Sequence, residues 1–236
     1  MKNMRAILTL ILTLTFVGSP FLTSPFSGFT ADQLPIPQIK PPIQPAGYAF
    51  AIWGVIYVWL VVSAAYGLWK HKDDPRWDRA RAPLIVSLAV GTPWLAIANT
   101  SAIWATILIF VMMITAIMAL LRTPNDRWTF QAPIGLYAGW LTAASFVSLG
   151  STAAGYGILT DQLGWAYIGI ICALIVTLTT MRHSRRPAYG LAVVWALVGI
   201  VVANGTAPLG VSILAGIGAV VLLGLSVASS GHSVPS

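Results

Sequence analysis

The sequence contains no glutamate, and its six acids are Asp32, Asp73, Asp74, Asp78, Asp126 and Asp161. Charged residues make up only 8% of the 236 residues, where a soluble domain carries about a quarter. That scarcity excludes an ordinary water-soluble fold. One cysteine, Cys172, lies inside an apolar run, which rules out a disulfide framework or a thiolate metal cluster and leaves a packing role. The three histidines, His71, His183 and His232, fall in the segments between or beyond apolar runs, and no pair has metal-ligand spacing. No Lys, Arg, Asp or His falls in the middle of an apolar run. This speaks against an ion-coupled pump or proton relay and removes the lysine that a retinal Schiff base needs. Neither a glycine-rich phosphate loop nor a nucleophile-elbow motif is present.

What the chain has in abundance is apolar surface, 57% of its residues, in runs of about 20 that match the thickness of a bilayer core. Eight spans can be drawn, at 4–26, 46–69, 82–101, 103–121, 129–150, 164–181, 188–202 and 206–229. The expected fold is therefore all-α, a polytopic membrane helix bundle with the six aspartates in loops. The first span begins "MKNMRAILTLILTLTFVG", which has the basic start and short apolar core of a secretory signal. Apolar character resumes at Phe21 and Phe26 beyond Gly18 and Pro20, so it is read as a retained, kinked helix, with a cleaved signal as the alternative.

The net charge of +7 is a topology signal and not a nucleic-acid footprint. With eight spans, twelve of the thirteen basic residues, from Lys2 and Arg5 to Arg182, Arg185 and Arg186, collect on one side and Lys40 alone on the other. The positive-inside rule then places both termini in the cytoplasm, with a bacterial inner membrane as the expected location. "KHKDDPRWDRAR" (70–81) is the strongest topology determinant, although it could also meet anionic headgroups. The loop "SGFTADQLPIPQIKPPIQP" (27–45) carries five prolines and reads as stiff, extended and free of helix, either a lid or a spacer.

Aromatic residues fall into two groups. Trp69, Trp77, Trp104, Trp128 and Trp165 lie at or beyond span ends, as interfacial anchors do. Trp53, Trp94, Trp140 and Trp195 lie deeper. At 1.5 Å per residue, Trp53 and Trp94 sit about 10 Å and Trp140 about 15 Å from the outer ends of their helices. Tyr57 shares a face with Trp53, and Tyr137 with Trp140, while Trp59 points elsewhere, to lipid or a partner. Buried indole and phenol groups want hydrogen-bond partners. The small residues Gly54, Gly91, Gly139, Ala143 and Ala144 beside them permit either close helix packing or a ligand cavity, and spacing alone leaves both open.

Residues 41–57, "PPIQPAGYAFAIWGVIY", 87–94, "SLAVGTPW", and 136–145, "LYAGWLTAAS", carry a family resemblance. Residues 1–150 resemble the TspO/translocator-protein family of tryptophan-rich sensory proteins, whose pattern is a Pro-rich approach, W-x-F…W-x-x-x-Y, Q-x-x-x-N-x-x-W and P-Y-x-x-W. Here Tyr48 replaces the first Trp, Ser87 and Gly91 replace the polar pair, and Leu136 replaces the Pro. Phe50 and Trp53 stand one residue closer than in the family, a rotation of about 100°. Residues 151–236 hold three further spans without counterpart in a five-helix member and look like those of a longer branch. The resemblance implies a five-helix domain over 1–150 around a cavity for porphyrins, haem-type tetrapyrroles, sterols or similar apolar ligands, closed by the first long loop. It implies a sensory or regulatory role, often as a homodimer, with no covalent cofactor and no metal. The ligand-binding residues would be Tyr48, Phe50, Trp53, Tyr57, Trp94, Tyr137, Trp140 and Ala144. Porphyrin breakdown through Trp53 and Trp140, and a carrier for a small apolar solute, are the alternatives.

Overall fold

A computed structural model describes residues 2–183 and 186–230. Among them are eight long helices and no strand, and each helix is long and apolar enough to cross a membrane. They are α1 (Lys2–Gly18), α2 (Ile52–Lys70), α3 (Pro75–Ala98), α4 (Ala102–Leu121), α5 (Ala132–Gly155), α6 (Gln162–His183), α7 (Pro187–Asn204) and α8 (Leu209–Ser230). Arg185 and His232 lie outside the described residues.

Helix α5 is the axis of the bundle. Of its most apolar stretch 78% is buried, against 28% to 44% for the other seven helices. Its sequence explains this. Glycine, alanine and serine let neighbouring backbones approach, and its hydroxyls pair across the gaps. Tyr137 Oη meets Ser87 Oγ of α3 at 2.9 Å, and that serine also donates to the Met112 carbonyl of α4. Ser145 donates to the Ile109 carbonyl, and Ser148 meets Thr106, both on α4. Thr142 meets Tyr189 Oη of α7 at 2.9 Å. Helices α6 and α7 therefore pack directly on α5, and α8 closes against α7.

Three expectations need correction. Helix α3 starts at Pro75 and not near residue 82, because Asp74 accepts the Arg76 N–H as an N-cap and Pro75 fits the first helical position. Asp78 is therefore helical, paired with Arg5 of α1 at 2.8 Å, and Asp32 lies in a short 3-10 turn, Ala31–Gln33, inside the Pro-rich loop. Trp77 and Trp165 are not interfacial anchors but are 2% and 9% exposed. Trp77 is sandwiched between His71 (4.4 Å, planes at 2°) and Phe130 (3.9 Å, 10°), so His71 is a packed residue as well. Trp69, Trp104 and Trp128 are exposed, as belt residues are. Trp59 finds its partner within the chain, donating to the Trp128 carbonyl and stacking on its ring.

The basic end is closed by Arg81, 2% exposed, which donates to the carbonyls of Gly67, His71 and Lys72. These are carbonyls around the end of α2, which an α-helix cannot satisfy by itself. Beside it, the Arg76 guanidinium bound to Asp74 pulls that carboxyl down to about 2, so the cap stays ionised at any ordinary pH.

At Gly139 the backbones of α5 and α7 meet directly. A Cβ there would collide with the Tyr189 carbonyl oxygen and lie 2.8 Å from the Ala192 methyl. Gly139→Val is expected to lower stability by about 3 kcal/mol, at the upper end of overpacking costs, in thermal unfolding of the detergent-purified protein. Gly54→Val, whose Cβ would meet nothing within 4 Å, is the matched control and should stay close to the parent.

Candidate functional site

A cavity of about 320 Å³ opens at the end of the bundle away from the basic loops. This is near the lower bound of the roughly 300–1,000 Å³ typical of small-molecule sites. Four helices supply most of its wall. From α2 come Trp53 and Tyr57, from α3 Gly91, Trp94 and Leu95, from α4 Ile109 and Met112, and from α5 Trp140, Leu141, Ala143, Ala144, Val147, Ser148 and Ser151. Phe16 of α1 and Ala196 of α7 complete it, and Phe50 enters from the 3-10 turn that precedes α2. No charged side chain lines it.

The rings form two groups, one around Trp53 and one around Trp94. Trp53 and Tyr57 stack at 5.2 Å with planes 25° apart, as their i, i+4 spacing requires. Trp140 stands edge-on to Trp53 at 6.3 Å and to Phe50 at 5.8 Å. Phe16 makes edge contacts with Trp53, Tyr57 and Tyr137 at 5.9, 5.5 and 5.7 Å. Phe26 sits edge-on to Trp94 at 5.3 Å. Such pairs prefer offset or edge geometries because ring faces are negative and ring edges positive.

Of the eight residues singled out from the sequence, Phe50, Trp53, Tyr57, Trp94, Trp140 and Ala144 line the cavity. Tyr137 does not. It lies fully buried behind the wall, with its hydroxyl on Ser87. Nor does Tyr48, which is 44% exposed and packs edge-on to Trp195 at 5.6 Å. Trp195 itself donates to the Ala49 carbonyl and holds the 3-10 turn before α2. Sequence reasoning missed Phe16, Phe26, Phe29 and Met112. Only the register of α1 against α3, where Phe16 fills the notch of Gly91, could have pointed to the first.

The polar groups divide sharply. Trp94 donates its indole N–H to the Ala105 carbonyl at 2.9 Å, and Tyr137 is paired as described. The indole N–H groups of Trp53 and Trp140 and the hydroxyl of Tyr57 have no hydrogen-bond partner among the described residues. All three residues line the cavity. An apolar chamber with a few unmatched donors on its wall is suited to an apolar body that carries acceptor atoms. No group of three or more metal-ligating side chains occurs among the described residues, and nothing near the cavity can serve as an acid–base pair.

Removing a hydroxyl separates the two classes of donor. Tyr137→Phe is expected to cost about 1 kcal/mol in unfolding experiments, the usual worth of a satisfied hydrogen bond. Tyr57→Phe, which removes an unpaired hydroxyl, should leave the stability of the ligand-free protein unchanged or slightly raised.

A family model described as TSPO-like protein matches residues 4–228, a stretch that takes in all eight helices. No curated protein and no solved structure matches the chain.

Proposed function

We propose, from the premise that the chain belongs to the TSPO-like protein family, that it is an integral membrane binding protein of regulatory type, whose cavity takes a flat, largely apolar ligand of the tetrapyrrole class. The observation that carries this reading is the set of unpaired donors on Trp53, Tyr57 and Trp140 around an otherwise apolar chamber. Aromatic faces give affinity for a planar π system, and the N–H and O–H groups orient it through its acceptor atoms. With twelve basic residues expected on the cytoplasmic side, the cavity mouth faces the opposite side of the membrane.

A carrier would call for paired broken helices at mid-membrane, and α3 continues unbroken through Pro83 and Pro93. A porphyrin-degrading role would run through the rings of Trp53 and Trp140, since no acid–base group lines the cavity. Its mark would be lost product formation in Trp53→Phe and Trp140→Phe with binding retained.

The test of binding is a protoporphyrin titration of the purified protein followed by tryptophan fluorescence, with Trp53→Phe and Trp140→Phe beside the parent. Saturable quenching in the micromolar range, weakened about tenfold in each variant by the loss of a bound hydrogen-bond donor, is the expected result. Linear quenching of equal slope in all three proteins would mean partition into detergent and would end the tetrapyrrole reading. Because the cavity wall carries no charge, the dimethyl ester of the porphyrin is expected to bind at least as tightly as the diacid.

A further inference from the structure

The segment that roofs the cavity, residues 23–46, places Ser24, Pro25, Phe26, Gly28, Phe29, Gln44 and Pro45 over the chamber. A Pro-rich segment of this length has little regular structure to hold it in place. Its seat is built by other parts of the chain. Ile43, 2% exposed, is a knob that fills a hole made by two glycines, Gly150 of α5 and Gly169 of α6. A Cβ at Gly150 would come within 2.9 Å of the Ile43 side chain, and a Cβ at Gly169 would collide with it.

Helix α7 supplies further attachments, beside bonds from Gln33 to the Ala98 carbonyl and from Asn99 to the Ser24 carbonyl at the end of α3. Asn204 Nδ2 donates to the Pro42 carbonyl at 2.8 Å, and the Ala46 N–H donates to the Gly199 carbonyl at 3.0 Å. Gly199 leaves the space that the Pro45 ring occupies, since a Cβ there would lie 2.9 Å from it. Trp195 fixes the next turn through Ala49. Upstream, the Ile36 N–H bonds the Gly155 carbonyl and Leu34 covers the bare backbone of Gly155.

We infer that α6 and α7 hold the roof of the cavity shut, with Gly169, Gly199 and Asn204 as positioning residues that set how often the chamber opens. Two roof residues that line the chamber, Gln44 and Pro45, are flanked on one side by the Ile43 knob and on the other by the Ala46 hydrogen bond. Loss of either attachment loosens this end of the segment without touching any ring of the cavity wall. The consequence for ligand entry rests on the cavity being a binding site; the attachment of the roof does not.

The experiment reads opening without a ligand. In a Cys172→Ala background, Ser151→Cys places a single thiol on the cavity wall, at a position 5% exposed. Its rate of labelling by a water-soluble maleimide is compared in the parent, Ile43→Ala and Asn204→Ala. Both roof variants are expected to label about tenfold faster or more, as a lost knob or a lost anchoring bond shifts the closed–open balance. Ala116→Cys, at a fully buried position of α4 away from the cavity, serves as the second reporter and should keep its slow rate in both variants. Unchanged labelling of Ser151→Cys in both variants would overturn the inference. So would a parallel rise at Ala116→Cys, which would mean general loosening of the bundle. If the roof variants label faster while protoporphyrin fails to saturate the parent, the roof stands and the tetrapyrrole reading falls.

Discussion

A hydrogen-bond donor without a partner is costly inside a bilayer, because no water is present to accept the bond. This constraint organises the molecule. Along α5 the contacts with α3, α4 and α7 are each marked by a hydroxyl that pairs with a carbonyl or a second hydroxyl across the gap. At the basic end the same requirement draws Arg81 under α2 to satisfy three carbonyls at once. Around the cavity, the indoles of Trp53 and Trp140 and the phenol of Tyr57, which have no partner among the described residues, face a chamber and not a packed contact.

Packing follows from the same helix. The small residues that let α5 sit at the centre also create the notches that larger side chains enter. Leu34 presses on Gly155 and Ile43 on Gly150, while Gly139 takes the Tyr189 backbone and the Ala192 methyl. On the far side of the chamber Phe16 presses on Gly91 in the same manner. The interior is thus a set of ring-on-glycine and aliphatic-on-glycine contacts, and the volume that remains unfilled is bounded by four of the largest rings in the chain, Trp53, Tyr57, Trp94 and Trp140.

The number and class of the helices were readable from hydropathy alone, since each span must match the thickness of the bilayer. Their ends were less so. The start of α3 depends on a cap between Asp74 and Arg76, and a charge-rich segment that looks like loop can continue a helix once it is capped. Depth and helical face put Trp53, Tyr57, Trp94 and Trp140 at similar levels, but left a packed core and a cavity equally open, and the family resemblance grouped them as one wall. They could not separate Tyr137 from that wall, because whether a phenol points into a space or into Ser87 depends on the rotation of α5 against α3. Span-end tryptophans were the weakest inference. Trp77 and Trp165 occupy positions where an anchor and a buried plug have the same sequence address, and only the neighbours Phe130 and His71, or the Ile158 carbonyl that Trp165 bonds, decide between them.

The contact between α5 and α7 has a consequence for biogenesis. Thr142 and Tyr189 are 47 residues apart, and Gly139 presents bare backbone to the same partner. A ribosome delivers α5 to the membrane well before α7 exists, so for that interval a helix rich in small residues and hydroxyls must stand with one side uncovered. Neighbours already inserted can shield only the α2, α3 and α4 sides. The nascent chain is therefore at its most vulnerable between the emergence of its fifth and seventh helices, and the insertion machinery must shelter it there until the last third of the protein arrives.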